Sequence, residues 1–156
     1  MSKLVNNLIN FIEKDELKGE KLNYHKHYSG IYKNGKPLYI GTNHLRNSYN
    51  GECIWYSTHA EMDVLNRVLR KDKLQPFKDI VDLSNYTIVV LRYGNDGTLK
   101  NSRPCNHCLE TMTKYRIKKI LYSCDDGTIA TEKPEFMKHT HVSSGWNAFV
   151  KFNLKK

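Results

Sequence analysis

The sequence predicts an α/β layer fold, with helices packed on a mixed sheet of about five strands. Three observations carry that prediction. Apolar residues recur at helical spacing at Leu4, Val5, Leu8, Ile9 and Ile12, and again at Ala60, Val64, Leu65, Val68 and Leu69. The run "NYTIVVLRY" (Asn85 to Tyr93) is β-branched with little polar alternation, as a central strand buried on both faces should be. Finally, Asn34-Gly35 and Asp126-Gly127 each separate two strand-like runs and predict tight hairpins.

Taken in order, the first stripe is a helix that ends near Gly19. "IYKNGKPLYIGTN" follows as a hairpin with a type I′ turn at Asn34-Gly35. A polar loop, Asn43 to Ser57, leads to a second helix over "THAEMDVLNRVLRK", Thr58 to Lys71. After the 85–93 strand, a loop rich in Gly, Asn and Asp reaches Pro104, which suits the first turn of a helix over "CNHCLETMTKY". "KKILYS" (118–123) and "TIATE" (128–132) are two more strands, and only "CDDG" lies between them. So short a connection makes these last two strands antiparallel.

With 156 residues the chain suits one domain over 1–156, with a real hydrophobic core. At 39% hydrophobic and 26% charged it reads as soluble and globular rather than disordered. No apolar run is long enough to span a bilayer, and the first residues lack the pattern of a secretory signal. A cytoplasmic protein with reduced thiols and no membrane association is expected. The formal charge of +9 fits a phosphate-bearing or nucleic-acid partner, but also a lysine-rich solvated surface. Ten tyrosines could stack on bases, or simply pack a half-buried sheet.

The second helix begins oddly, with His59 and Glu61 beside its first apolar residue. Taken alone, Thr58 and Glu61 form a capping box, in which each side chain bonds the other's backbone N–H. The third helix opens on "PCNHC", which places the thiols of Cys105 and Cys108 at i, i+3 where the helix N-terminus favours thiolates. Three readings of that pair compete: a redox C-x-x-C, half of a structural zinc site, or part of a catalytic one. A redox pair usually follows the first strand of a βαβ unit, and this one comes late. A structural site needs a fourth protein ligand. Cys53, Cys124 and His107 are available, yet none forms a second pair at ligand spacing. A catalytic site needs three ligands and leaves the fourth position to water. His59 completes that set if the two helix starts adjoin at one sheet edge. "HAE" with "PCNHC" then matches the H-x-E…P-C-x-x-C signature of zinc deaminases, in the right order and on helix starts.

On these motifs the sequence resembles the cytidine and deoxycytidylate deaminase superfamily. The likeness runs from the first hairpin to about Glu132, a motif-bearing core of about 27–132, leaving 133–156 as a tail. The resemblance implies a three-layer cytidine deaminase-like fold, a Zn2+ ion held by His59, Cys105 and Cys108, and hydrolytic removal of an exocyclic amine. A zinc-activated water would attack C4 of the pyrimidine while Glu61, the catalytic residue, shuttles protons. It further implies that Asn43 contacts the sugar, and that the Ala60 N–H and the Arg103 carbonyl hold the pyrimidine O2 and amino group. Arg103 stands where serine or glutamate is frequent. His107 would point away from the metal, as a surface or rim residue.

For the substrate, two clues disagree. The antiparallel last strands resemble the free-nucleoside branch and certain toxin deaminases, whereas a histidine at position 59 resembles deoxycytidylate and polynucleotide enzymes. Cytosine in a nucleoside or nucleotide is the favoured reading. Deamination of single-stranded DNA or RNA is the alternative, and a catalytically inactive zinc-containing binding module is a third. A homo-oligomer is compatible with the resemblance. The tail offers His139, His141, Ser143, Ser144 and Trp146 as pocket-border residues, with the histidines more readily read as surface groups than as a second metal site.

Overall fold

The computed structural model describes residues 1–14, 26–44, 48–49, 54–55, 58–71 and 81–143. The first apolar stripe forms α1, Lys3–Lys14, and buries Val5, Leu8 and Ile12 along one face. The expected continuation towards Gly19 lies outside the described residues. Strands β1 (Lys26–Lys33) and β2 (Lys36–Thr42) pair antiparallel around Asn34 and Gly35, whose φ of 50° and 78° are both left-handed. A type I′ turn needs positive φ at both central residues, which Asn and Gly supply at least cost.

The expected polar loop after β2 contains more order than its composition suggests. Ser48–Tyr49 (β3) and Ile54–Trp55 (β4) pair antiparallel as a small separate sheet, and His44 bridges Thr58. Segments this short show no alternation for a sequence pattern to reveal. Helix α2 spans Ala60–Lys71, and β5, Tyr86–Tyr93, is the central strand. Leu99–Lys100 (β6), which the sequence gives as loop, pairs with the end of β5. Helix α3 covers Asn106–Lys114, β7 Lys119–Ser123 and β8 Ile129–Glu132, followed by a short 3-10 turn at Pro134–Phe136.

The sheet runs β2-β1-β5-β7-β8, with β6 added beside β5. It is mixed. Strands β5 and β7 are parallel, joined through α3 as a parallel pair requires, and the other pairs are antiparallel, including β7 with β8 as expected. Residues of β5 alternate between two cores. Val89 and Leu91 pack with Val5, Leu8 and Ile12 of α1, while Ile88 and Val90 pack with Val64, Leu65 and Val68 of α2 and Leu109 and Met112 of α3. The result is three layers: α1, sheet, then α2 with α3. Helix α2 lies close on β2, since a Cβ at Gly41 would collide with the Asp63 carboxylate. Among the described residues no helix is long and apolar enough to cross a membrane.

Register decides what this scaffold brings together. Thr42 at the end of β2 lies opposite Tyr28, and Tyr93 at the end of β5 lies opposite Lys26. The carboxyl ends of β2 and β5 therefore share one edge, and β7 runs parallel to β5 towards the same edge. Both α2 and α3 start there, as ligand sites of α/β sheets do.

Candidate metal centre

His59 and Cys105 occupy equivalent places. The His59 carbonyl accepts the Asp63 N–H (2.9 Å) and the Cys105 carbonyl accepts the Leu109 N–H (3.0 Å), so each is the cap residue of its helix. Cys105 is extended (φ −71°, ψ 167°), and Pro104 stands just before it. Proline thus precedes the cap rather than sitting in the first turn, because the helix begins at Asn106, with Cys105 as its cap. Likewise Ala60 is the first residue of α2, which puts Glu61 one position short of capping-box spacing. Glu61 is instead buried, at 4% exposure.

His59 Nδ1 lies 3.3 Å from Cys108 Sγ and 3.6 Å from Cys105 Sγ, and all three ligand atoms fall within 4.8 Å of one another. A tetrahedral zinc with ordinary bond lengths would hold nitrogen and sulfur about 3.5 Å apart. The donor set fits a metal ion, and among the described residues this is the one such group. Cys105 and Cys108 are 5% and 3% exposed, while His59 is half-buried.

Electrostatics bind the cluster further. A hydrogen bond from the Cys108 thiol and another from His59 hold the Cys105 thiol down to about 3, against the effect of burial. Cys108, as the thiol that donates, is pushed up. Burial opposes the His59 charge, but the bond to Cys105 and the nearby charges of Glu61 and Cys105 raise it to about 9. Burial pushes the Glu61 carboxyl up, with His59 acting in the other direction.

The other residues singled out by sequence lie around this centre. Ala60 is fully buried at the start of α2. The Asn43 carboxamide oxygen accepts the His27 N–H at 2.8 Å, which ties the end of β2 back to β1. Arg103 uses its side chain, which the sequence reading set aside. Its guanidinium donates to the Lys138 carbonyl (2.7 Å) and Thr140 Oγ1 (3.1 Å). Asn106 joins the same segment by donating its N–H to the His141 carbonyl (3.0 Å). The first part of the tail is thereby fixed across the start of α3. His107 is half-buried, His139 lies 3.9 Å from Glu110, and His139 and His141 are exposed and belong to no second metal-ligating group among the described residues. Ser144 and Trp146 lie outside the described residues.

Sequence reasoning missed two buried serines. Ser102 Oγ donates to the Val90 carbonyl (2.8 Å) and lies 2.9 Å from Ser123 Oγ, which itself donates to the Lys100 carbonyl (2.6 Å). The pair locks the chain just ahead of Arg103-Pro104-Cys105 onto the ends of β5 and β7. No local signal separates such a serine from an ordinary loop serine.

A mixed sheet with two helix starts converging on one histidine and two cysteines, beside a buried glutamate, defines a protein with a deaminase-like metal-binding site. The family model for the cytidine and deoxycytidylate deaminase zinc-binding region matches residues 29–124, and the chain belongs to that family. Its fold is similar to that of a cytidine deaminase from Burkholderia pseudomallei, solved by crystallography, at 15% identity and a TM-score of 0.52, covering 86% of this chain and 94% of that one. Among curated proteins none matches the sequence.

Proposed function

We propose that the chain is a zinc-dependent hydrolase that converts cytosine to uracil in a nucleoside or nucleotide. One observation supports this above the others: a carboxyl group at 4% exposure sits two residues from a ligand of a three-donor metal cluster. A buried acid is costly, and a purely structural zinc site has no use for one. When bound, zinc supplies a Lewis acid with an open fourth position for water.

The chain's own groups do the rest. Glu61 takes a proton from the attacking water and passes it to N3 of the ring, so that C4 becomes more electrophilic; it then takes the second proton from the new C4 hydroxyl and delivers it to the departing amine, which leaves as ammonia. The Ala60 N–H at the start of α2 and the Arg103 carbonyl orient the base through O2 and the amino group. Asn43 meets the sugar. Burial of Cys105 and Cys108 keeps bulk water from the far side of the cluster.

The test is ammonia release by zinc-loaded protein from cytidine, deoxycytidine, their monophosphates and a cytosine-containing oligonucleotide. Turnover of a free nucleoside or nucleotide, lost on chelation and restored by zinc, is expected. Faster turnover of the oligonucleotide would favour the single-strand reading, for which the charge of +9 is the support. Zinc binding with no ammonia from any compound would leave an inactive binding module.

A further inference from the structure

Asn43 bonds the backbone of His27, His27 lies opposite Arg92 on β5, and Arg92 lies opposite Lys100 on β6. Residues directly opposite on neighbouring strands share a face. Arg92 follows Val90 by two, so it stands on the α2 and α3 face with the metal ligands, whereas Tyr93 and Leu99 pack on the α1 side. Strands are about 4.8 Å apart, so His27, Arg92 and Lys100 form a row leading away from Asn43 along the sheet edge. The row ends in a cleft of about 320 Å³ lined by Arg92, Gly94, Asn95, Asp96, Lys100 and Asp125.

Hydrogen bonding in the cleft is unevenly met. The Asp96 carboxylate accepts the Thr98 N–H and hydroxyl and pairs with Lys100 Nζ at 3.3 Å. Asp125 accepts the Asn101 N–H at 3.0 Å. Arg92 donates one Nη1–H to the Asn101 carbonyl (3.3 Å), while its Nε–H has no acceptor among the described residues. A guanidinium carries five N–H donors, so the cleft has donors in surplus, while Asp96 is committed to its own turn and to Lys100, and Asp125 to the Asn101 backbone.

We propose that Arg92, with Lys100 beside it, receives a phosphate carried on the sugar of the substrate, which makes the substrate of this site a nucleotide rather than a nucleoside. This rests on the deaminase reading above. The phosphate is either the terminal group of a mononucleotide or the link to the next unit of a strand; the chemistry of recognition is the same. Asp125, which lines the same cleft, opposes the phosphate and limits how tightly it is held.

The experiment compares cytidine, cytidine monophosphate and a cytidine-containing dinucleotide with zinc-loaded wild type, Arg92→Ala and Asp125→Asn, by ammonia release and by calorimetric binding. A charge-assisted hydrogen bond predicts a preference of roughly tenfold or more for the phosphorylated compounds. Arg92→Ala should abolish that ratio and Asp125→Asn should increase it; opposite signs do not arise from general misfolding. Preference for the monophosphate identifies a terminal phosphate, and added preference for the dinucleotide an internal one. Equal handling of nucleoside and nucleotide, or a ratio that survives Arg92→Ala, overturns the proposal. Should no compound release ammonia while monophosphate binding still depends on Arg92, the deaminase reading fails and the phosphate site stands.

Discussion

The two faces of the sheet share their strands but do opposite work. On the α1 side Val89, Leu91, Leu121, Tyr28 and Tyr32 close against Val5, Leu8 and Ile12, an apolar contact with one notable polar tie, from the Tyr32 hydroxyl to the Leu4 carbonyl. On the other side the apolar core of Ile88, Val90 and Ile120 runs, within a few residues, into the two thiols, the imidazole and the buried carboxyl. One face spends its burial on holding the sheet; the other uses part of its stability to hold charge in a dry place. Mutations on the first should cost stability alone, and mutations on the second should cost activity first.

The largest expected effect is on the metal face. Glu61→Gln keeps the shape and burial of the side chain but removes the proton shuttle. General acid–base groups contribute about 10²–10⁴-fold, so cytosine turnover should fall by at least that much. Zinc content should stay at one ion per chain. The melting temperature should hold or rise, because a neutral amide replaces a carboxyl that burial disfavours. Turnover within tenfold of wild type, with the substitution verified, would remove Glu61 from the chemistry.

Much of this division is legible in the sequence, and what is not has a common cause. The stripes Leu4 to Ile12 and Ala60 to Leu69, the type I′ hairpin and the β-branched 85–93 run all speak through local periodicity or backbone preference, and each became the expected element. The triad was legible because its spacing on two helix starts is specific, and topology then joined them. Ser102, Ser123 and the side chain of Arg103 were not legible. A polar residue's role depends on whether tertiary structure buries it and beside what, and nothing within a few residues of Ser102 records the approach of Ser123 from β7. The strands β3, β4 and β6 escaped for another reason: at two residues each, they have no period.

The complementary test falls on the α1 face. Leu8 is fully buried between α1 and the sheet. Truncation to alanine loses transfer energy and leaves a cavity, so Leu8→Ala should destabilise by about 2–5 kcal/mol in urea unfolding. Turnover per folded molecule should match wild type below the transition. A variant that is stable yet slow would mean that α1 reaches the metal centre through the sheet, and the separation of the faces would be lost.

A weaker effect tests the polar tie between Tyr32 and α1. The Tyr32 hydroxyl bonds the Leu4 carbonyl at 3.0 Å and lies 3.2 Å from the Asn7 carboxamide oxygen, and burial raises its pKa from 10.0 to about 12. An unfolded chain loses this proton near 10 and the folded chain near 12. Between those values the folded state therefore binds more protons than the unfolded one, and stability falls as pH rises. The contribution is fully present below pH 10 and should be gone above 12, amounting to roughly 1–2 kcal/mol after allowance for screening. Tyr32→Phe should cost about 1 kcal/mol at neutral pH through the lost hydrogen bond, and its stability should decline less than wild type between pH 10 and 12. Tyr122, also raised to about 12 by burial and its bond to Glu132 on the other face, keeps part of the slope in the variant. Parallel pH profiles for wild type and Tyr32→Phe would show that the hydroxyl is wet, and that α1 is held by apolar contact alone.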